Sequence, residues 1–255
     1  MPFSNLSAIK MKQYFLILFS PFLVFFSSCE EKSIPPINLE LEKDFYPLEV
    51  DRTWVYLTDS VVFNKQFSTV DTLKGFVKET ITDKFVTAGD IDLYIIERSF
   101  KRTPADQWSV TDIYSASFID NKATRTEENL RFVKLVIPTS LGQKWDGNQF
   151  FDESIIVNVG GESIEVYKNW DSEVIAIESI VNIDGVQYEN CTEIILADSE
   201  NSIEKRYVKE IYSKGVGLIS KEMVVLCTQN GDTSIEILDR AEEGFVLSQS
   251  LVEYY

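Results

Sequence analysis

Histidine is absent from the sequence of 255 residues. Its absence excludes catalytic pairs in which an imidazole activates a serine or cysteine nucleophile. Zinc sites that need imidazole ligands are excluded as well. Glycine is scarce, at 11 residues, and none of these falls in a glycine-rich phosphate-binding pattern. The sequence therefore predicts no catalytic residue, no metal site and no cofactor of these classes.

Basic residues are also few. The chain has 24 Lys and Arg against 41 Asp and Glu, a formal net charge of -17. Nucleic-acid binding requires Lys and Arg to replace the counterions of the phosphates, so we expect no nucleic-acid partner. The same charge opposes docking on anionic lipid through basic side chains. Hydrophobic residues make up 44% and charged residues 25%, as in an ordinary folded domain.

One long apolar run stands near the N-terminus. Ten of the twelve residues from Phe15 to Phe26 are apolar, and no charge occurs between Lys12 and Glu30. The run is too short for a transmembrane helix, which needs about 20 apolar residues. A short apolar stretch after basic residues is typical of a secretory signal. The segment Met11-Lys12-Gln13 is a plausible natural start, so Met1 and Met11 are both candidate initiators.

The end of this run, Phe26-Ser27-Ser28-Cys29, resembles the lipobox of bacterial lipoproteins. In that family the cysteine is acylated, with chains such as palmitate, and becomes the mature N-terminus. The resemblance implies a signal peptide at residues 1–28, lipidation of Cys29 and attachment to a membrane through the lipid. Residues 29–43 are predicted to form the lipidated tether, because Pro35-Pro36 stiffens the chain.

The acidic pair that follows Cys29 resembles the surface-export signal of Bacteroidetes lipoproteins. This likeness implies the outer membrane of a Gram-negative cell envelope, with either a periplasmic or a surface-facing domain. The stretches Tyr46–Tyr56 and Tyr212–Ile219 resemble the opening and a late hairpin of uncharacterised lipoproteins from the same phylum. That family implies no assigned chemistry.

Residues 44–255 are predicted to form a β-rich domain. Between Trp108 and Phe118, apolar and polar residues alternate with the period of two that is typical of a half-buried strand. Turn signals such as Asp184-Gly185 separate similar runs, which favours antiparallel hairpins. The predicted fold is all-β or β-dominated, an antiparallel meander with a short helical turn near Thr126–Leu130. The other predicted strands are Trp54–Phe63, Leu93–Phe100, Arg131–Ile137, Ser154–Val159, Val174–Ile183, Val186–Leu196, Arg206–Tyr212, Leu218–Cys227 and Ser234–Leu238.

A weak internal repeat runs through this domain. Pro47 is followed by Trp54, and Pro138 is followed by Trp145, at the same spacing of seven residues. We interpret the pattern as two similar halves, 44–135 and 136–255, which together form a curved or half-barrel sheet. Chance similarity between β-rich segments is the alternative interpretation.

Two cysteines remain after Cys29. Cys191 and Cys227 both lie in predicted strands, and an even number of cysteines in an exported domain favours a disulfide. We therefore predict a bond between them. The alternative is a pair of free thiols that behave as small hydrophobic side chains.

Aromatic and acidic residues raise two further hypotheses. Trp170 lies in the polar segment Lys168–Asp171, so we predict that it is exposed and stacks on a ligand, whereas the other tryptophans fill the core. The 41 acids also permit a glycosidase-type pair. Such a pair needs two carboxyl groups about 5–9.5 Å apart, a separation that sequence does not reveal.

The favoured function is a lipid-anchored, extracytoplasmic envelope protein with a non-catalytic binding or structural role. Its partner would be an envelope protein, a lipid or a glycan. The first alternative is a lipid- or carbohydrate-binding module with a concave sheet lined by aromatic residues. The second is a hydrolase that uses carboxylates, which a raised carboxyl pKa in a cleft would reveal.

Overall fold

The computed structural model describes residues 42–255, which belong to one compact unit. The predicted signal peptide, nearly all of the tether and Cys29 lie outside the described residues. The described chain starts with a 3₁₀ turn at Lys43–Phe45, and a second 3₁₀ turn lies at Ile237–Arg240.

Strands account for most of the described chain. Twelve of its strands form a single antiparallel sheet in the order β6-β5-β4-β3-β2-β1-β14-β13-β12-β11-β10-β7, and β8 and β9 form a separate hairpin. The predicted all-β antiparallel meander is confirmed. The strands are β1 Thr53–Asn64, β2 Thr69–Val86, β3 Asp92–Lys101, β4 Ser109–Ile119, β5 Lys122–Glu127, β6 Leu130–Val136, β7 Lys144–Trp145, β8 Val157–Val159, β9 Glu162–Ile164, β10 Ser172–Ile183, β11 Val186–Glu200, β12 Glu204–Ser213, β13 Gly217–Cys227 and β14 Glu243–Tyr254.

Alternation of side chains explains why these segments form strands. In β12 the residues Arg206, Val208, Glu210 and Tyr212 are almost fully buried. The residues that alternate with them, such as Lys205 and Lys209, are more exposed. This is the period of two that places one set of side chains on the inner face of a sheet. The two-residue turns also follow the sequence, since the predicted turn Asp184-Gly185 joins β10 to β11 with positive φ at both residues.

The strand predictions were incomplete, and two local predictions were wrong. Five strands were not predicted: β2, β5, β7, β9 and β14. In β2, charged and polar residues occupy both faces. Residues 234–238 were predicted to form a strand, but they form a turn and the start of the second 3₁₀ turn, where Ile237 is buried. The predicted helical turn at Thr126–Leu130 is the β5–β6 connection, in which Glu128 and Asn129 adopt positive φ.

The sheet curves until its two edge strands meet. The backbone N–H of Val133 in β6 donates to the carbonyl of Gly147, just beyond β7, at 2.8 Å. The indole N–H of Trp145 in β7 donates in return to the carbonyl of Val133 at 3.0 Å. The predicted curvature is thus confirmed, and the inner face encloses the core. Its fully buried side chains include Ile81, Ile194, Ile219 and Leu251.

The sheet consists of two runs of strands, β1–β6 and β7 with β10–β14, which pair with each other through β1 and β14. The first run ends with β6 at Val136, next to the predicted boundary between residues 135 and 136. Trp54 and Trp145 lie in the first strand of each run, and the indole N–H of Trp54 donates to the carbonyl of Val216 at 2.6 Å. A duplication stays a prediction.

The β8–β9 hairpin is fixed to the sheet at the turn between β1 and β2. The side-chain amide of Asn64 donates to the carbonyl of Gly160 at 2.6 Å, and Glu162 accepts from the backbone N–H of Gln66 at 3.1 Å. Gly160 has a φ of +61°, and a Cβ there would lie 2.8 Å from Val62. The hairpin therefore lies close against β1 and covers part of the inner face.

Gly244 in β14 generates the first prediction. Its φ is +111°, and a Cβ at this position would overlap the carbonyl of Val225 in β13. We expect Gly244→Ala to lower the free energy of unfolding by about 1–3 kcal/mol, because the backbone conformation is unfavourable for alanine. Urea unfolding followed by tryptophan fluorescence measures this change. Gly231→Ala is the control, since nothing lies within 4 Å of its Cβ position; equal effects of the two variants would contradict the prediction.

Candidate functional site

Charged side chains lie inside the curved sheet. Both Nη atoms of Arg125 in β5 donate to the carboxylate of Glu79 in β2, at 2.7 and 2.8 Å. Arg98 in β3 donates to the same carboxylate at 3.2 Å. The Nε of Arg125 lies 2.7 Å from Glu127. Because the Arg125–Glu79 contact is bidentate, it fixes the geometry of both side chains.

A second group of charges lies beside the first. The ammonium group of Lys134 in β6 donates to Glu210 in β12 at 2.6 Å. The hydroxyl of Tyr212 donates to the other oxygen of this carboxylate, also at 2.6 Å. The ammonium group of Lys221 in β13 lies farther away, at 3.7 Å from Glu210. We name the two groups together the inner ion cluster: Glu79, Arg98, Arg125, Glu127, Lys134, Glu210 and Lys221.

The cations of the cluster keep its carboxylates ionised. Burial alone would raise the pKa of Glu127, but the charge of Arg125, followed by that of Lys221, lowers it to about 2. The pKa values of Glu79 and Glu210 are likewise lowered by neighbouring cations despite the opposing effect of burial. These carboxyl groups therefore carry their negative charge at neutral pH.

The pKa of Lys221 is lowered for two reasons. Burial disfavours its charged form, and the positive charge of Lys134 adds repulsion. The inner ion cluster contains four cations and three carboxylates, so it carries one surplus positive charge. The whole chain carries -17, so the sign of this interior is opposite to that of the molecule.

The inner ion cluster itself leaves little space. The cavity among its side chains has a volume of about 30 Å³ and is walled in part by Tyr46 and Tyr56. That volume suits two or three water molecules, since each needs about 10–15 Å³ measured in this way. The cluster therefore has no space for an organic ligand between its own members.

A larger cavity adjoins the inner ion cluster beneath the β8–β9 hairpin. It has a volume of about 210 Å³, and we name it the hairpin cavity. Lys134, Lys221 and Glu127 of the ion cluster form its charged end, and the exposed Glu128 also lines it. The remaining lining residues are apolar or aromatic: Phe132, Val157, Val159, Val166, Tyr167, Trp170, Met223, Phe245 and Leu247.

Trp170 lines this cavity, but the prediction that it is exposed was wrong. It is 7% exposed, and its indole N–H donates to the carbonyl of Val166 at 3.1 Å. Its ring centroid lies 5.4 Å from that of Tyr167 and 6.4 Å from that of Phe132. The polar residues around Trp170 in the sequence concealed these contacts, because Phe132 lies on a distant strand.

The predicted disulfide between Cys191 and Cys227 was also wrong. Both residues are free thiols in the structure. Cys191 is paired with Ser213 and Cys227 with Glu204, so they lie beside opposite ends of β12. A strand rises about 3.3 Å per residue, so the nine residues from 204 to 213 span roughly 30 Å. A disulfide requires Cα atoms within about 7 Å.

Two larger concavities lie elsewhere on the domain. One of about 560 Å³ is lined by the first described residues and the β2–β3 turn, and one of about 750 Å³ is lined by residues of β11–β14 and the second 3₁₀ turn. Within residues 42–255, no group of three or more Cys, Asp or Glu side chains could hold a metal ion. The described part of the chain contains no helix that is long and apolar enough to cross a membrane.

The comparisons with known proteins found similar solved structures. One of them is a Bacteroides fragilis protein with a YmcC-like fold that is described as exported. The similarity covers 82% of this chain and 97% of that protein, with a TM-score of 0.42 and 10% identity. A Parabacteroides distasonis protein described as a lipoprotein matches 83% of this chain and 98% of its own, with a TM-score of 0.38 and 9% identity. No family model and no curated protein matches the sequence.

Sequence reasoning missed the inner ion cluster. A signal was present in two strands, where a charged residue interrupts an apolar face. Lys134 shares the parity of Phe132 and Val136, and Glu210 shares the inward parity of Val208 and Tyr212. The pairing of Lys134 with Glu210 could not be predicted from the sequence, because the two residues are 76 positions apart.

Glu210 generates the second prediction. Glu210→Gln would leave Lys134 and Lys221 without a negative partner at this point, and breaking a buried ion pair costs about 3–5 kcal/mol. Glu200→Gln is the matched control, because Glu200 pairs with Lys205 at 2.7 Å but is 47% exposed. Exposed pairs contribute about 0–1 kcal/mol. Urea unfolding of the two variants tests the difference, and a loss of less than about 1 kcal/mol in Glu210→Gln would contradict it.

Proposed function

We propose that the protein is a lipid-anchored, extracytoplasmic component of a Gram-negative envelope that binds the apolar part of a small amphiphile in the hairpin cavity. The observation that carries this proposal is the cavity itself. Its volume of about 210 Å³ lies inside the sheet, and nine of its thirteen lining residues are apolar or aromatic. An enclosed and wholly apolar cavity of about 150 Å³ binds benzene. The hairpin cavity differs in that it opens to solvent and has a charged end, so it suits an amphiphile better than a wholly apolar ligand.

The packing of Trp170 favours an apolar ligand over a carbohydrate. A sugar would stack on an open aromatic face, whereas Trp170 packs against Tyr167 and Phe132 and is 7% exposed. Its indole N–H is already donated to Val166. The aromatic cluster therefore supports an apolar wall, of the kind that lines most small-molecule sites.

The carboxylates support a binding role over hydrolysis. A general acid in a hydrolase needs a raised pKa, so that it is protonated near neutral pH. Wherever a carboxyl pKa is shifted in residues 42–255, the shift is downward, as it is for Glu79, Glu127 and Glu210. Glu127, beside the hairpin cavity, is ionised and paired with Arg125, which suits structural anchoring.

The anchor rests on the sequence of the N-terminal segment. The lipobox-like Phe26-Ser27-Ser28-Cys29 would supply the lipid, and the acidic domain has little basic surface with which to bind anionic membranes. One acyl chain binds membranes only marginally, so stable attachment needs the several chains of a lipoprotein.

A neutral fluorescent probe tests the binding site. We expect the purified domain to bind N-phenyl-1-naphthylamine with an increase in fluorescence, and Leu247→Trp to reduce binding at least about tenfold by filling the cavity. Ser248→Trp is the matched control, since Ser248 is the exposed neighbour of Leu247 in β14. Equal binding by both variants would refute the proposed site.

Replacement of Cys29 tests the anchor. In cells labelled with radioactive palmitate, we expect the wild-type protein to carry label and to fractionate with the membrane. Cys29→Ser should carry no label, because serine lacks the thiol that is acylated. Cys191→Ser is the control and should keep both label and membrane attachment. Unmodified Cys29 in membrane-bound protein, measured by intact mass, would overturn the lipoprotein assignment.

A further inference from the structure

We infer that the amphiphile carries an anionic head group, a carboxylate or a phosphate, and that Lys221 binds this group at the charged end of the hairpin cavity. The inference rests on the proposed function and adds the chemistry of the ligand. It depends on the position of Lys221, on the pairing of the other charges and on the surplus charge of the inner ion cluster.

Lys221 lies between the ion cluster and the cavity. Its side chain lines both spaces and is 16% exposed. Its ammonium group is 3.7 Å from Glu210, beyond hydrogen-bond distance. A buried ammonium group is costly unless it is paired and hydrogen-bonded. Of the cations in the cluster, Lys221 would therefore gain most from a hydrogen bond and an ion pair with an incoming anion.

The other cations of the cluster already have close partners. Lys134 is 2.6 Å from Glu210, and Arg125 is bound to Glu79 and Glu127 at 2.7–2.8 Å. Glu127 also lines the cavity, but its charge is balanced by Arg125. Glu128 lines the cavity as well, but it is exposed, so solvent screens its charge. An anion beside Lys221 would bring the cluster of four cations and three carboxylates to neutrality.

The arrangement gives the ligand a direction. Lys134, Lys221 and Glu127 form the charged end of the cavity, while Val157 and Val159 of β8 and Phe245 and Leu247 of β14 form apolar walls. A head group at Lys221 places a short alkyl chain along these walls, under the hairpin. A molecule with an anionic head group and an apolar chain fits this distribution.

Three ligands with the same chain test the inference: decanoate, decyl phosphate and 1-decanol. Isothermal titration calorimetry at neutral pH should show that the wild-type domain binds at least one of the two anions about tenfold or more tightly than decanol. The stronger of the two anions identifies the head group as carboxylate or phosphate, and either result supports the inference.

Variants of Lys221 connect the preference to this residue. We expect Lys221→Gln to weaken binding of the anion about tenfold and to leave decanol binding unchanged, while Lys221→Arg keeps the preference. Lys209→Gln is the matched control, because Lys209 is paired with Glu193 at 2.8 Å and does not line the hairpin cavity. Near-UV circular dichroism checks folding. Lys221→Met, which keeps a long unbranched side chain without the charge, provides the answer if Lys221→Gln does not fold.

The outcomes separate the two proposals. If decanol and the anions bind the wild-type domain equally, and Lys221→Gln changes neither, the head-group inference is wrong and the apolar site remains. If the anions bind more tightly than decanol but Lys221→Gln, or Lys221→Met in its place, binds them as wild type does, another cation binds the head group and the assignment of Lys221 is wrong. If neither decanol nor the neutral fluorescent probe binds, the proposed function fails and the inference fails with it.

Discussion

The contact between Arg125 and Glu79 is the interaction on which the rest of the interior depends. It joins β5 to β2 across the inner face, and Lys134 and Glu210 join β6 to β12 in the same way. Backbone pairing links each strand only to its neighbours, whereas these contacts link strands that are not adjacent in the sheet. The ion pairs thus add specific contacts between opposite walls of the curved sheet, which the hydrogen-bond ladders do not provide.

Buried ion pairs are not efficient stabilisers, because the desolvation of both charges offsets much of their attraction. Their effect here is better described as a constraint on geometry. The charges interrupt the apolar packing of the inner face between side chains such as Ile81 and Ile96 and the apolar walls of the hairpin cavity. Lys134, Lys221 and Glu127 form the side of the cavity that faces the cluster.

Local patterns made much of the fold predictable, and long-range pairing accounts for the errors. The alternation of apolar and polar residues predicted strands correctly, and the turn Asp184-Gly185 predicted a hairpin correctly. Both features depend on residues that are near each other in the chain. The ion cluster joins residues 46 and 76 positions apart, and the burial of Trp170 depends on Phe132 in β6. The disulfide prediction failed for the same reason, since the registers of β11 and β13 along β12 decide where Cys191 and Cys227 lie.

The molecule has a negative net charge, whereas the inner ion cluster has a positive one. This difference affects how the site would select a ligand. A chain of net charge -17 repels anions at long range, but exposed charges are screened beyond a Debye length of about 8 Å at physiological ionic strength. Lys221 acts at short range in a partly buried site, where screening is weaker. The surface would therefore slow the approach of an anionic amphiphile without preventing its binding. Discrimination between a charged and a neutral head group would arise at the inner ion cluster, where one negative charge is missing.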